Sequence, residues 1–338
     1  MELSGTVLWG PSLEPREGTV TVTDGRIADF EEHSVESEDI VVPAFVNAHT
    51  HIGDSIAKEA GTGLSLEELV APPDGLKHRL LRSASPEALV SGMRRTLQFM
   101  AAGGTGVCYD FREGDTQGVE QLRSATAPLE VEALAFARGS RAALEAGDGF
   151  GASGAADADF TEERAVAREL EKPFGIHAGE ADSRDIDPAL DLDPDFLVHV
   201  VHPETAHLER IEAASVPVVV CPRSNLTTGV GVPPVEALAD RTTLALGTDN
   251  VMLAAPSMFR EMETLARLSD LTAAEILRMA TVNGAAILGR PDGRLEVGRP
   301  ARLFVLDGNG DNLAGTRDPV KAVVTRAGVA DVDRVVLQ

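Results

Sequence analysis

In the stretch VPAFVNAHTHIGDS, residues 42–55, His49 and His51 stand one residue apart after an apolar run, in a chain with only eight histidines. On a β-strand, residues two apart share a face, so both imidazoles converge and make half of a metal site. An H-x-H pair alone is a weak signal, because chance pairs are common on surface loops. Other groups add weight: His177 and Glu180 in GIHAGE, His199 in FLVHVV and Asp249 in ALGTDN, all in or just beyond β-rich runs. Core packing does not require them, since a buried histidine or carboxylate without a partner costs several kcal/mol.

The scaffold that carries these groups can be read from the pattern. From residue 43 onward, β-rich runs at 44–49, 105–111, 129–136, 149–153, 174–178, 196–201, 216–221 and 244–249 alternate with helical stretches. That alternation marks a parallel α/β sheet or barrel, and in barrels the active site lies at the C-terminal ends of the strands. Helix signals fall between the runs. Ser85 caps and Pro86 opens one helix, and Thr272 with Glu275 forms a capping box on another. Residues 5–42 instead alternate short strands and turns, with Asp24-Gly25 as a hairpin turn. The tail returns to strand-like runs, RLFVLD, VKAVVT and DRVVLQ. We expect an α/β fold: a (β/α)8 TIM barrel over 44–293, beside a small β-sandwich composed of 1–43 and 294–338.

Composition narrows the function. A chain of 338 residues can build one domain of about 250 residues plus a smaller one. Apolar residues make up 43%. No apolar run approaches about 18 residues and the N-terminus lacks a signal-peptide pattern, which reads as a soluble, cytoplasmic protein. Lys and Arg number 30 against 54 Asp and Glu, a net charge of −24, which repels nucleic acid and anionic membranes. The lysines are only Lys58, Lys77, Lys172 and Lys321. An acidic, lysine-poor surface stays soluble in molar salt, where the Debye length is about 3 Å, and points to a salt-loving source. Cys108 and Cys221 read as small core residues rather than a disulfide.

Taken together, AFVNAHTH after a β-rich N-terminus, HAGE, LVHVVH, VCPRSN, LGTDN and ATVNGAAILG before GRLEVGRPARLFVLD resemble the amidohydrolase superfamily. The likeness is nearest to its cytosine deaminase and chlorohydrolase-like branch of mononuclear metal aminohydrolases. It spans essentially the whole chain in the family's order, with Ala301-Arg302 standing where the family often has Ala-Asp. The resemblance implies that His49, His51, His177 and Asp249 hold one divalent metal, zinc first and iron as the alternative. It also implies that Glu180, His199 and Asp249 move protons. The chemistry agrees, because three neutral imidazoles and a carboxylate leave a position for water, whose pKa a metal lowers to about 7. Glu180 would protonate a ring nitrogen, His199 would polarise the nucleophile and the forming oxyanion, and Asp249 would take the water's proton. The expected reaction is deamination of an amino-substituted N-heterocycle, a nucleobase or nucleoside; homo-oligomerisation is left open.

Each assignment has a rival. Glu180 could form a salt bridge to Arg184 or Arg223. His202 competes with His199, but it precedes Pro203 and marks the strand's exit. His33, His78 and His207 read as solvated, and Asn225 as either a pocket residue or an Asx-turn. A two-metal site bridged by a lysine is excluded on the third and fourth strands, since no lysine lies between Lys77 and Lys172, which leaves Glu130 or Glu132 as a bridge. A cyclic-amide or halide-releasing hydrolase is the runner-up reaction, and a metal-free scaffold the non-enzyme reading. Specificity is expected from loops 53–85 and 179–195.

Overall fold

The computed structural model describes residues 1–70 and 74–338. Among these, the strands are β1 Glu2–Trp9, β2 Glu14–Thr23, β3 Arg26–Glu32, β4 Ile40–Pro43, β5 Phe45–His51, β6 Thr105–Arg112, β7 Glu132–Ala137, β8 Gly149–Gly154, β9 Phe174–Ala178, β10 Phe196–His199, β11 Val218–Val220, β12 Leu244–Leu246, β13 Asp249–Asn250, β14 Arg302–Leu306 and β15 Val332–Leu337. They form two sheets.

The larger sheet runs β12-β11-β10-β9-β8-β7-β6-β5-β13, and all its pairings are parallel. Sequential order with helical crossovers is what parallel pairing demands. Its two end strands, β12 and β13, are separated in the chain only by Gly247 and Thr248, so the sheet curls until its edges come together. The Thr248 N–H donates to the His49 carbonyl at 3.0 Å. Gly247 is required here, because a Cβ would lie 2.7 Å from His49 Cβ and 3.0 Å from Cys221 Sγ. On the concave side Tyr109, Phe111, Phe136 and Phe196 pack with Val46 and Ala48 into a buried cluster beneath the strand ends, and the Tyr109 hydroxyl donates to the Gly284 carbonyl at 2.7 Å.

The smaller sheet has the order β15-β14-β4-β1-β2-β3. It joins residues 2–43 to residues 302–337, the pairing of termini expected from the β texture at both ends. Asp24 and Gly25, both at positive φ, make the two-residue turn between β2 and β3. One tail segment departs from expectation. VKAVVT lies in a helix, Pro319–Thr325, not a strand: Asp318 caps it by accepting from Lys321 N–H at 2.9 Å, and Pro319 takes its first turn. The sequence pattern missed this because its β-branched run is only one helical turn long. Ser85 and the Thr272/Glu275 box cap their helices as expected.

Arg302 fastens the two sheets. Its guanidinium reaches Glu132 at the start of β7 at 2.7 Å and Asp292 at 3.1 Å, while Arg290 reaches the same two carboxylates at 2.7 Å each. This knot lies at the N-terminal end of the strands, opposite the site. Cys108 and Cys221 are buried and free. Among the described residues, no helix is long and apolar enough to cross a membrane.

Candidate active site

His49 and His51 reach the concave side because β5 is irregular. Phe45, at its start, packs against Phe259 and Phe304 at ring distances of 5.1 and 4.8 Å, on the side that faces the helices and the smaller sheet. Uninterrupted alternation would send Asn47, His49 and His51 the same way. The register against β6 slips between Asn47↔Cys108 and Thr50↔Asp110, a bulge that re-aims the side chains after it. Beyond it the His49 ring lies 4.5 Å from Phe111, inside the concave cluster.

There four side chains meet. His49 Nε2 is 3.2 Å from both Asp249 Oδ1 and His177 Nε2, and His51 Nε2 is 3.5 Å from the same Asp249 oxygen. One donor atom of each of the four lies within 4.8 Å of the others. His177 Nδ1 is 2.8 Å from the Ala152 carbonyl, which can only accept, so this nitrogen carries the proton and Nε2 offers a lone pair. Neighbouring donors around a zinc ion, with bonds of about 2.1 Å, stand about 3.0–3.4 Å apart, so these contacts fit a divalent cation. Electrostatics agree with that fit. Burial pushes His49 down to about 4 and His51 down to about 3, and burial with the adjacent His49 holds His177 well below its ordinary value. All three are neutral imidazoles at pH 7, the form that can offer a lone pair. For Asp249 burial acts the other way, but the hydrogen bond to His49 and the neighbouring imidazoles outweigh it and keep the carboxylate ionised.

Glu180 and His199 stand beside this set. His199 Nε2 is 3.6 Å from Glu180 Oε2, and Glu180, His199 and Asp249 form a second close group. Burial raises the Glu180 carboxyl, against the pull of His199. Among the described residues the rival arginines are engaged elsewhere: Arg184 pairs with Asp182, and Arg223 with Glu261. The backbone is strained here. His199, Val200 and Asp249 have φ of 78°, 49° and 53°, at a cost of about 1–3 kcal/mol each. Opposing bonds hold the turn after β10, from Val200 N–H to the Ala178 carbonyl at 2.9 Å and from Val201 N–H to the Gly179 carbonyl at 2.8 Å.

Sequence reasoning missed a buried charge network behind His51. Lys77, 3% exposed, places Nζ 2.7 Å from Glu113, 3.0 Å from Asp54 and 3.2 Å from His51 Nδ1. Glu113 also receives Arg112 at 3.1 Å and Arg138 at 3.2 Å, and lies 3.4 Å from His51 Nδ1. Burial would raise Glu113, but the Lys77 ammonium holds it well below the usual range. No local spacing could reveal this, because Lys77 and Glu113 meet only through the fold.

The other expectations sort plainly. Asn225 is fully buried with its amide 3.1 Å from His199 Nδ1, and Ser224 donates to Asp249 Oδ2. His202 is exposed at the mouth. His33 is exposed, and His78 is half-buried on the Val70 carbonyl. His207, expected to be solvated, is buried, because its Nδ1 accepts the Glu204 N–H in a helix cap. Glu130 is exposed and Glu132 is held by Arg290 and Arg302, so neither bridges metals at this site.

A cavity of about 690 Å³ opens over the group, lined from one side by Ser65, Glu67 and Val70 and from the other by Ala181, Asp182 and Arg184. These belong to the two loops expected to carry specificity; residues 71–73 of the first lie outside the described residues.

The profile of the Amidohydrolase family matches residues 40–338. A putative aminohydrolase of Methanothermobacter thermautotrophicus is 33% identical, over 96% of this chain and 94% of its own length. A 5-methylthioadenosine/S-adenosylhomocysteine deaminase of Halobacterium salinarum is 33% identical over 50% of this chain and 45% of its own. Among solved structures, an adenosine deaminase from Xanthomonas campestris with bound zinc superposes with a TM-score of 0.82 at 22% identity, over 98% of this chain and 90% of that one; this is a likeness of fold.

Proposed function

Because this chain belongs to the amidohydrolase family and is a hydrolase of carbon–nitrogen bonds, we propose that it deaminates an amino-substituted N-heterocycle, with aminopurine nucleosides the first class to test. The observation that carries the reading is the meeting of His49, His51, His177 and Asp249, one donor atom of each within 4.8 Å of the others, with Glu180 and His199 beside them in one cavity.

In this reading the four residues hold one divalent metal, zinc first; zinc in the adenosine deaminase of like fold supports that choice. When bound, the metal supplies a water acidified to a pKa of about 7. Burial raises the Glu180 carboxyl, which favours its protonated form, and Glu180 delivers that proton to the ring nitrogen next to the amino-bearing carbon. That carbon then accepts attack. Asp249, ionised, takes one proton of the attacking water and passes it to the amino group; as the C–N bond breaks and ammonia leaves, the hydroxyl left on that carbon becomes the carbonyl and its proton returns to Glu180. His199 steadies the oxygen that gains charge. We read β12 and β13 as one interrupted strand that completes an eight-position barrel over 44–293, with 1–43 and 294–338 as its composite β domain.

The test is ammonia release from 5′-methylthioadenosine, S-adenosylhomocysteine, adenosine, cytosine and guanine by the zinc-loaded protein. Turnover of an aminopurine nucleoside supports the reading. Hydrolysis confined to cyclic amides or halogenated rings would replace it with the runner-up.

A further inference from the structure

Two consecutive residues of one short helix each touch a different group of the acid–base set. The helix Pro222–Thr228 follows β11 directly. Ser224, 1% exposed, donates its hydroxyl to Asp249 Oδ2, while Asp249 Oδ1 is the oxygen that faces His49 and His51. The two oxygens of one carboxylate are thereby divided between two tasks. Asn225, fully buried, sets its side-chain amide against His199 Nδ1 at 3.1 Å. The helix is itself held from behind, where Glu261 accepts the Arg223 N–H at 3.2 Å and the Arg223 guanidinium donates to the Ala255 carbonyl at 2.9 Å.

The proton on His199 can be placed from its surroundings. Its Nε2 points to Glu180 Oε2 at 3.6 Å, and the Asp249 carboxylate belongs to the same close group. The side-chain NH2 of Asn225, 3.1 Å from His199 Nδ1, can only donate, so this ring nitrogen accepts. A ring that accepts at Nδ1 carries its proton on Nε2, the nitrogen directed toward Glu180.

The geometry points to Asn225 as the residue that locks His199 in the Nε2–H tautomer, and to Ser224 as the residue that turns one Asp249 oxygen toward the imidazoles. His199 is then a hydrogen-bond donor throughout turnover and never a base. Both are positioning residues, and the assignment of their kinetic effect rests on the deaminase reading above.

The experiment is imidazole ¹⁵N NMR on zinc-loaded, histidine-labelled protein, with the His199 signals assigned through His199→Gln. We expect a protonated Nε2 and a bare Nδ1. Asn225→Asp presents a carboxylate oxygen where the amide donated, so the tautomer should reverse, with zinc content kept and kcat down about 10²-fold while KM changes little. A protonated Nδ1 in the wild type overturns the assignment, as does an Asn225→Asp variant that keeps the wild-type tautomer. The wild-type spectrum needs no variant and no substrate, so it decides the tautomer even if no aminoheterocycle proves to be a substrate.

Discussion

His49 and His177 face each other through their Nε2 atoms at 3.2 Å, and the His177 proton is committed to the Ala152 carbonyl on the far side of its ring. At least one lone pair therefore points into the space that His51 and Asp249 share, which is the arrangement a cation would resolve.

That arrangement should bind one metal per chain. We expect about one equivalent by elemental analysis, lost in His177→Ala, and a lower melting temperature after chelation. Metal at about 100 times its Kd contributes about 2.7 kcal/mol to stability. Two tightly held equivalents would contradict the single-ion reading.

Glu180→Gln keeps the shape of the side chain but has no proton to give. Metal content should stay intact while turnover drops by about 10² or more. Unchanged turnover would remove Glu180 from the proton path.

Lys77→Met should destabilise the fold strongly, because it strands the buried Asp54 without its ammonium, while Glu113 keeps Arg112 and Arg138. Breaking a buried ion pair from one side costs about 3–5 kcal/mol. A melting temperature within a degree of wild type would show that water repairs the network.

Glu261 gives the stability a pH dependence. Burial pushes its carboxyl up to about 8, against 4.5 in a free chain. Between these values the folded state holds the extra proton, so this contribution is full below pH 4.5 and is lost as pH climbs through 8. The upper bound is about 5 kcal/mol. Melting curves from pH 5 to 9 should fall less steeply for Glu261→Gln than for wild type; equal slopes would assign the decline to other groups.

The −24 charge should respond to salt. Repulsion reaches about 30 Å at 0.01 M ionic strength and about 3 Å at 1 M. With metal saturating, the melting temperature should rise with potassium chloride and not with a neutral osmolyte at matched osmolality. A flat curve would make the acidity incidental.

The strands and the six candidate site residues were legible in the sequence because each rests on local pattern, a β-rich run with a ligand or acid near its end. What escaped were relationships made by closure of the fold. Lys77 sits in a polar segment and gives no hint that it ends beside Glu113. Ser224 and Asn225 read as well as turn residues as positioning ones until His199 and Asp249 are beside them. VKAVVT shows the complementary failure, where a β-branched run yields to a well-made Asp-Pro helix start.

The bulge in β5 makes the site depend on counting as much as on chemistry. Period two assigns Phe45 and His49 the same face, yet one packs toward the helices and the other into the cavity. Only Ala48 and His49 lie between Asn47 and Thr50, so deleting Ala48 would remove the extra residue of the bulge and change the pairing with β6 while both histidines stay in the chain. Substitution tolerance along this strand is therefore no guide to its tolerance of length change: the segment behaves as a reading frame, in which every letter can survive and the meaning still be lost.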